Sequence, residues 1–453
     1  MSISRPVILM IEPGLGGGVE RHVSDLVHLL RDQADFLRMM PAKGGLLRIR
    51  HGVAGYPAEL FFDPVREIAQ LVMFLRAVRI QRVHFHHTVR LPWSLSLLPG
   101  DLGVPYDYTA HDYFSFCPQI TLTSEHFRYC GEPDDEGCNR CLSVRPTPMR
   151  EDISGWRSRY RKFIEGAARV FVPTVGVGER LMRHFPEARI VLAPHPEPSV
   201  VQRAPVRISA GKGKLRIAVL GTLNPPKGAD LLESCAQDAT VRQLPIEFHL
   251  LGEAYRSLAQ APRAALYVHG PYKDAELDDL LAHTAPDLLW FPAQWPETYS
   301  YTLSAAMHLG YPIAATDIGA FHDRLAGRSG SWLLPWNTEA RDWNDFFARL
   351  AARGQDDRME AARLTPAAKS AYSYETDYLQ VRAPIEPAAT PKSNFLRFTR
   401  SWRARPGFLM DAAKEGLQVR LRHAYRLPGA RRFVTALIPE YRLQRVRRWL
   451  DRF

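Results

Sequence analysis

The sequence predicts an α/β protein: two doubly wound, Rossmann-like domains followed by a basic helical tail. Three observations carry this. Short apolar runs alternate with helix-spaced segments from Val7 to residue 375. The alternation lapses once, across the largely polar stretch 198–214, and restarts at Leu215. From residue 386 it gives way to arginine-rich segments with interleaved aromatics. The expected division is therefore 1–197, linker 198–214, 215–385 and tail 386–453, with a cysteine-rich insertion at 113–149 inside the first domain.

The first domain opens with Val7–Ile11, an apolar run suited to a buried parallel strand. Glu12-Pro13-Gly14-Leu15-Gly16-Gly17-Gly18 follows, and Val19–Leu30 has helical spacing. Strand, glycine loop and helix let the backbone approach a phosphate or sugar closely, although the spacing is not that of the dinucleotide fingerprint. Strands are then expected at 36–40, 59–62, 82–87, 106–111, 169–173 and 189–193. Helices are expected at 64–77, 150–168 and 175–185. The second series predicts strands at 215–221, 246–251, 265–269, 287–291, 313–316 and 332–335. Cys235 falls in an expected core helix.

The most informative stretch is Phe291–Ala320. Leu288–Phe291 reads as a strand, and Pro292 and Pro296 open a loop. Helical spacing begins near Ser300, and Gly310 with Pro312 ends it. Polar residues therefore collect at the carboxyl end of a parallel strand and at a helix start, where open α/β sheets bind ligands and where amides meet an anion. The run Pro296-Glu297-Thr298-Tyr299-Ser300-Tyr301-Thr302-Leu303-Ser304, with Gly310-Tyr311-Pro312 after it, resembles the donor motif of family 4 retaining glycosyltransferases of the GT-B fold. The resemblance spans roughly residues 5–375 and implies two Rossmann-like domains facing a cleft.

The resemblance also implies roles. Glu297 would hold donor-sugar hydroxyls, within a donor-binding set of Thr298, Tyr299, Ser300, Tyr301 and Thr302. The family's second Glu, which holds the ribose, would fall at Ala305. His111, ending an expected strand in His111-Asp112, would contact the sugar, while Asp112 orients it or caps the next turn. Lys227, in Gly221-Thr-Leu-Asn-Pro-Pro-Lys227-Gly228, would meet the donor diphosphate, and the family's accompanying Arg is missing. Gly16 and Gly17 would line the cleft. Charge developing on the leaving diphosphate calls for a cation. The family supplies it from side chains and helix amides, so no catalytic metal is implied, and no protein general base is assigned.

Four of the five cysteines, Cys117, Cys130, Cys138 and Cys141, lie within 25 residues. The Cys138-Asn-Arg-Cys141 spacing resembles a zinc knuckle, so a structural zinc is expected. Free thiols, disulfides and an iron–sulfur cluster are the alternatives.

Charge is distributed unevenly. The chain carries +11 overall, yet residues 391–453 hold sixteen Lys+Arg against four Asp+Glu, leaving the preceding body near neutral. This argues against a basic nucleic-acid cleft and for a tail that meets an anionic membrane surface. The opening Met1–Pro6 does not read as a signal peptide, and no apolar run is long enough to span a membrane. A cytoplasmic enzyme, peripheral on the inner membrane face, is the expectation. It would move a hexose from a UDP- or GDP-linked sugar to a polysaccharide or lipid-linked acceptor. A GT-B scaffold without catalysis and a nucleotide-sugar epimerase are the alternatives.

Overall fold

The structure is a computed structural model that describes residues 5–52, 59–147, 149–197, 203–208, 213–354, 361 and 364–380. The basic tail from 391 lies outside the described residues. The chain forms two compact units divided between Asp107 and Tyr108, the second running to Tyr378. The expected linker 198–214 thus falls inside the second unit.

The first unit begins with β1 (Val7–Ile11), α1 (Gly17–Leu29), β2 (Asp35–Pro41), β3 (Leu47–His51) and β4 (Glu59–Phe62). It continues through α2 (Ile68–Ala77), β5 (Ile80–Phe85) and α3 (Leu98–Leu102), and β6 (Tyr106–Thr109) crosses the division. The strand order is β4-β3-β2-β1-β5. β1 pairs in parallel with β2 and β5, and all five of its residues are buried, which is why it reads as an unbroken apolar run. β3 and β4 extend this sheet antiparallel. β3 is absent from the sequence expectation. Its Leu-Arg-Ile-Arg-His alternates as a strand with one buried face does, but it is short and arginine-bearing. Helix α2 starts later than expected because Asp63 captures the amides of Val65 and Arg66 in a local turn.

The second unit begins with α4 (Asp135–Val144), α5 (Ile153–Glu165), β7 (Arg169–Val172), α6 (Val175–His184) and β8 (Ile190–Leu192). The Ala110 amide donates to the Phe171 carbonyl, tying the chain just past β6 to β7. Helix α5 begins at its cap Asp152, whose carboxylate accepts from the Gly155 amide at 2.7 Å, rather than at the expected residue 150.

The remaining elements are β9 (Leu215–Leu223), α7 (Ala229–Val241), β10 (Ile246–Ala254), β11 (Leu266–Val268), α8 (Leu277–Thr284), β12 (Leu288–Phe291) and α9 (Tyr301–His308). After them come β13 (Ile313–Asp317), α10 (Ala320–Leu325), β14 (Ser331–Pro335), α11 (Ala340–Arg353) and α12 (Tyr374–Asp377). The sheet order is β11-β10-β9-β12-β13-β14, with every pair parallel. This is a doubly wound sheet whose connectivity reverses between β9 and β12. On one face α7 and α11 pack over a core containing Trp290, Trp332, Trp343 and Phe347. Cys235 of α7 is buried there, as expected, and its carbonyl accepts from the Asn344 amide at 2.8 Å. Both sheets are thus doubly wound, in line with the alternation in the sequence.

Among the described residues no helix is long and apolar enough to cross a membrane.

Candidate active site

The reversal between β9 and β12 opens a crevice at their carboxyl ends, and two loops flank it. After β9, Asn224 turns the chain by accepting from the Lys227 amide at 3.0 Å. Gly228 then takes φ +84°. A Cβ there would sit 2.1 Å from the Pro292 carbonyl oxygen, so only glycine lets the two loops touch. The Gln294 amide donates to the Pro226 carbonyl at 2.7 Å, closing the contact.

The loop after β12 is fastened at several points. Thr316 donates to the Ala293 carbonyl at 2.8 Å, and the Ala320 amide donates to the Glu297 carbonyl at 2.7 Å. Gly319 lies against the same peptide: a Cβ there would stand 2.6 Å from the Glu297 oxygen. Glu297 is therefore fixed by its backbone. Its side chain is buried, at 9% exposure, yet its carboxylate makes no hydrogen bond or ion pair among the described residues.

The rest of the motif has defined places. Thr298 donates to the His111 carbonyl at 2.6 Å, so the segments carrying the expected catalytic pair Glu297 and His111 are joined by the residue that follows Glu297. The His111 ring is 5.2 Å from that of His195, which is 4.3 Å from Tyr299 and 5.7 Å from Tyr301. Tyr299 donates to Glu197 at 2.7 Å, and burial raises the phenol's pKa well above its ordinary value. Ser300 has φ +73°, a strained conformation for a serine, and its hydroxyl caps α9 at Leu303. Thr302 lies beside Gly221, its methyl 3.5 Å from where a Cβ would be. Asp112 caps the next turn by accepting from the Phe114 amide at 2.9 Å. Lys227 is half-buried, and its ammonium makes no bond among the described residues. Ala305 packs against the apolar cluster under α9.

Sequence reasoning missed Arg324. Its guanidinium donates to the carbonyls of Tyr299 and Ser300, both at 2.9 Å, and to the Ser304 hydroxyl at 2.7 Å. It also lies 4.2 Å from the Tyr299 ring centroid. Arg324 thus clamps the strained turn at Ser300 from α10. Its one advance signal is a cation just after the Gly319 turn.

In the first unit, Gly16 and Gly17 take φ +75° and +70° at the start of α1, with open space where a Cβ would be. Nearby, and also unforeseen, Glu12 follows β1 and accepts both Nε and Nη2 of Arg38 at 2.5 and 2.6 Å, both side chains buried. Such a fork pairs two charges that would be costly to bury alone.

The four clustered cysteines are all free and half-buried. Burial, with Cys130, Cys138 and Cys141 adding to it, pushes the Cys117 thiol up to about 12. Cys138 and Cys141 do not sit on a knuckle turn. They lie in α4, which Asp134 caps by accepting from the Gly137 amide. Four sulfurs on one tetrahedral zinc, with Zn–S near 2.3 Å, stand about 3.8 Å apart. No three of these sulfurs lie within 4.8 Å of one another.

Residues 16–196 match the family described as Glycosyltransferase Family 4. Among solved structures, the chain is similar to HepE from Anabaena in complex with UDP-glucose, at 14% identity and TM-score 0.48, over 76% of this chain and 89% of that one. It is similar to sucrose-phosphate synthase from Thermosynechococcus elongatus at 14% identity and TM-score 0.48, over 76% and 90%. A lipopolysaccharide outer core galactosyltransferase, WaaB, overlaps at 11% identity and TM-score 0.46, over 76% and 90%. No curated protein matches the sequence.

Proposed function

We propose that the chain is a retaining hexosyltransferase that moves a sugar from a UDP- or GDP-linked donor to a polysaccharide or lipid-linked glycan. The observation that carries this reading is Glu297, a buried carboxylate without a partner among the described residues, held by its backbone beside the β9–β12 crevice. An isolated buried charge is costly, and ligand hydroxyls donating to it would remove that cost. The loop across the crevice carries Lys227, whose ammonium has no partner among the described residues and suits a diphosphate. One carboxylate for sugar hydroxyls and one cation for phosphate is the minimum that a nucleotide sugar demands.

The motif holds no second carboxylate at the roughly 5 Å that a double displacement uses. As the resemblance to family 4 retaining enzymes implies, the bond from the anomeric carbon to the phosphate oxygen breaks as the acceptor oxygen bonds on the same face. The departing phosphate oxygen takes the acceptor's proton. Lys227 stabilises the charge left on the diphosphate, and Glu297 orients the ring. His111, its carbonyl held by Thr298, stands on the sugar side. We place the reaction in the cytoplasm at the inner membrane face, with residues 391–453 contacting anionic lipid.

Thermal melting with UDP, GDP and ADP tests the donor site, since a bound ligand raises the midpoint by mass action. A concentration-dependent rise with UDP or GDP is expected; no rise with any of the three overturns the reading. Retention of anomeric configuration in the transferred sugar is the second expectation, and an inverted product overturns the mechanism. Ala305, in place of a ribose-holding carboxylate, favours a second reading, a binding subunit that takes the nucleotide without turnover. That reading requires a melting shift with neither transfer nor donor hydrolysis.

A further inference from the structure

The first unit has a crevice of its own, which the donor chemistry does not use. β1 pairs in parallel with β2 on one side and with β5 on the other, so the connectivity reverses between β1 and β5. Open α/β sheets bind ligands beyond the carboxyl ends of their strands at such a reversal. A cavity of about 350 Å³ lies there, between the connection from β2 to β3 and the loop after β5. Leu46, Leu91 and Pro92 give it apolar walls. Among the described residues its one charged lining group is the Arg90 guanidinium, and no carboxylate lines it.

Two features of the cavity suit an anion. The first is backbone. Gly44 (φ +69°, ψ +16°) is left-handed directly after a helical Lys43, and Gly45 follows at φ +76°. A left-handed residue behind a right-handed one turns successive amides into a concavity that takes an anion. Nothing stands within 4 Å of where a Cβ would be on either glycine, so the approach is open. The second feature is Arg90. The Leu91 amide donates to the Thr88 carbonyl at 3.2 Å, closing a turn whose third position is Arg90 at φ +63°. Glycine or asparagine suits a left-handed third position, and a longer side chain is strained there. Arg90 is exposed, and its guanidinium makes no hydrogen bond or ion pair among the described residues. Neither the turn nor a described partner accounts for an arginine at this place. A phosphate would, because the guanidinium offers it a fork of donors.

We propose that this cavity binds a phosphate group of the sugar acceptor, held by Arg90 and by the amides around Gly44. The part of the acceptor joined to that phosphate lies against Leu46, Leu91 and Pro92. Assigning the phosphate to the acceptor rests on the transfer reaction proposed above, whereas the anion site itself does not. Two kinds of acceptor share this chemistry: a glycan joined to lipid through a diphosphate, and a glycan bearing a phosphate ester. Arg90 thus selects acceptors by charge, and a neutral glycan of equal length is the poorer substrate.

Calorimetric titration of the full chain with inorganic pyrophosphate tests the site. A Lys227→Gln background keeps the cation of the donor loop out of the measurement. Adding Arg90→Gly to that background should weaken binding roughly tenfold or more, as loss of a charged hydrogen bond does. The melting midpoint should stay level or rise, since glycine suits the left-handed turn. Both proteins carry the basic tail, so anion taken up there cancels in the comparison. Equal affinity in the two proteins overturns the proposal. Weaker affinity with a lowered midpoint makes Arg90 a residue of the fold and overturns it as well. Farnesyl diphosphate separates the two sources through the part of its binding that depends on Arg90. Tighter binding than pyrophosphate assigns a lipid-linked diphosphate, equal binding assigns a phosphorylated glycan, and both bear the site out. If pyrophosphate binds through Arg90 while no nucleotide raises the midpoint, the anion site stands and the transfer reading falls.

Discussion

At the scale of residues, the site was legible where its chemistry is local. Glu297 could be picked out because its neighbours in sequence are also its neighbours in space, and its buried carboxylate has no partner among the described residues. Glu297→Gln should therefore lower kcat/KM by about 2–3 kcal/mol, roughly 30- to 150-fold, through loss of charged hydrogen bonds to the donor. Its melting midpoint should stay level or rise, because the change removes a buried charge. Steady-state kinetics beside a thermal melt decide it, and a normal rate sinks the assignment. Arg324 was illegible for the complementary reason. Its partners Tyr299 and Ser300 lie 25 and 24 residues earlier, and no local pattern announces a clamp made by α10 folding back on the start of α9. Glu12 was hidden in the same way, since its partner Arg38 lies a full strand–helix–strand away.

At the scale of elements, the parallel strands were the easiest to read. Buried on both faces, β1 and β12 are continuous apolar runs. The antiparallel and insertion elements were not, because β3 is polar on one face and α4 begins in a stretch of Asp and Glu that looks like loop until Asp134 caps it. The donor loop owes its shape to contacts between elements, and Arg324 is the testable one. Lysine has one ammonium for three acceptors that the guanidinium serves together. Arg324→Lys should therefore leave acceptors short and destabilise the second unit by about 1–3 kcal/mol. It should also weaken donor binding by relaxing the strained turn at Ser300. Calorimetric titration with the nucleoside diphosphate separates the two effects: lower stability with unchanged affinity would make Arg324 a packing residue only.

At the scale of the whole molecule, charge and protonation set the working conditions. His22, fully buried on α1, has its pKa lowered from 6.5 to about 3, first by burial and then by neighbouring His84. The folded chain thus keeps His22 neutral while the unfolded chain protonates it near pH 6.5. Its contribution is whole above that pH and is lost progressively as pH falls towards 3. Between pH 7.5 and 5.5 the loss from this one group is on the order of 1 kcal/mol. Urea unfolding at the two pH values should show it, and His22→Leu should flatten that part of the pH dependence.

The tail acts over a longer range. Because residues 391–453 carry nearly all the net charge, any electrostatic pull towards an anionic surface must come from them. Each basic residue near such a surface contributes on the order of 1 kcal/mol, within a Debye length of about 10 Å at 0.1 M salt. Only a fraction of the sixteen can face lipid together, but on the proposed membrane reading Trp402 and Trp449 would add apolar insertion that salt does not screen. Co-sedimentation with phosphatidylserine vesicles should therefore weaken, without vanishing, as salt rises. Changing Arg442, Arg445, Arg447 and Arg448 together to Gln should lower binding at low salt and flatten its salt dependence, leaving nucleotide-induced melting shifts as they were. Binding equal to the unaltered chain at every salt concentration would mean that these arginines face water, and the membrane reading of the tail would fall.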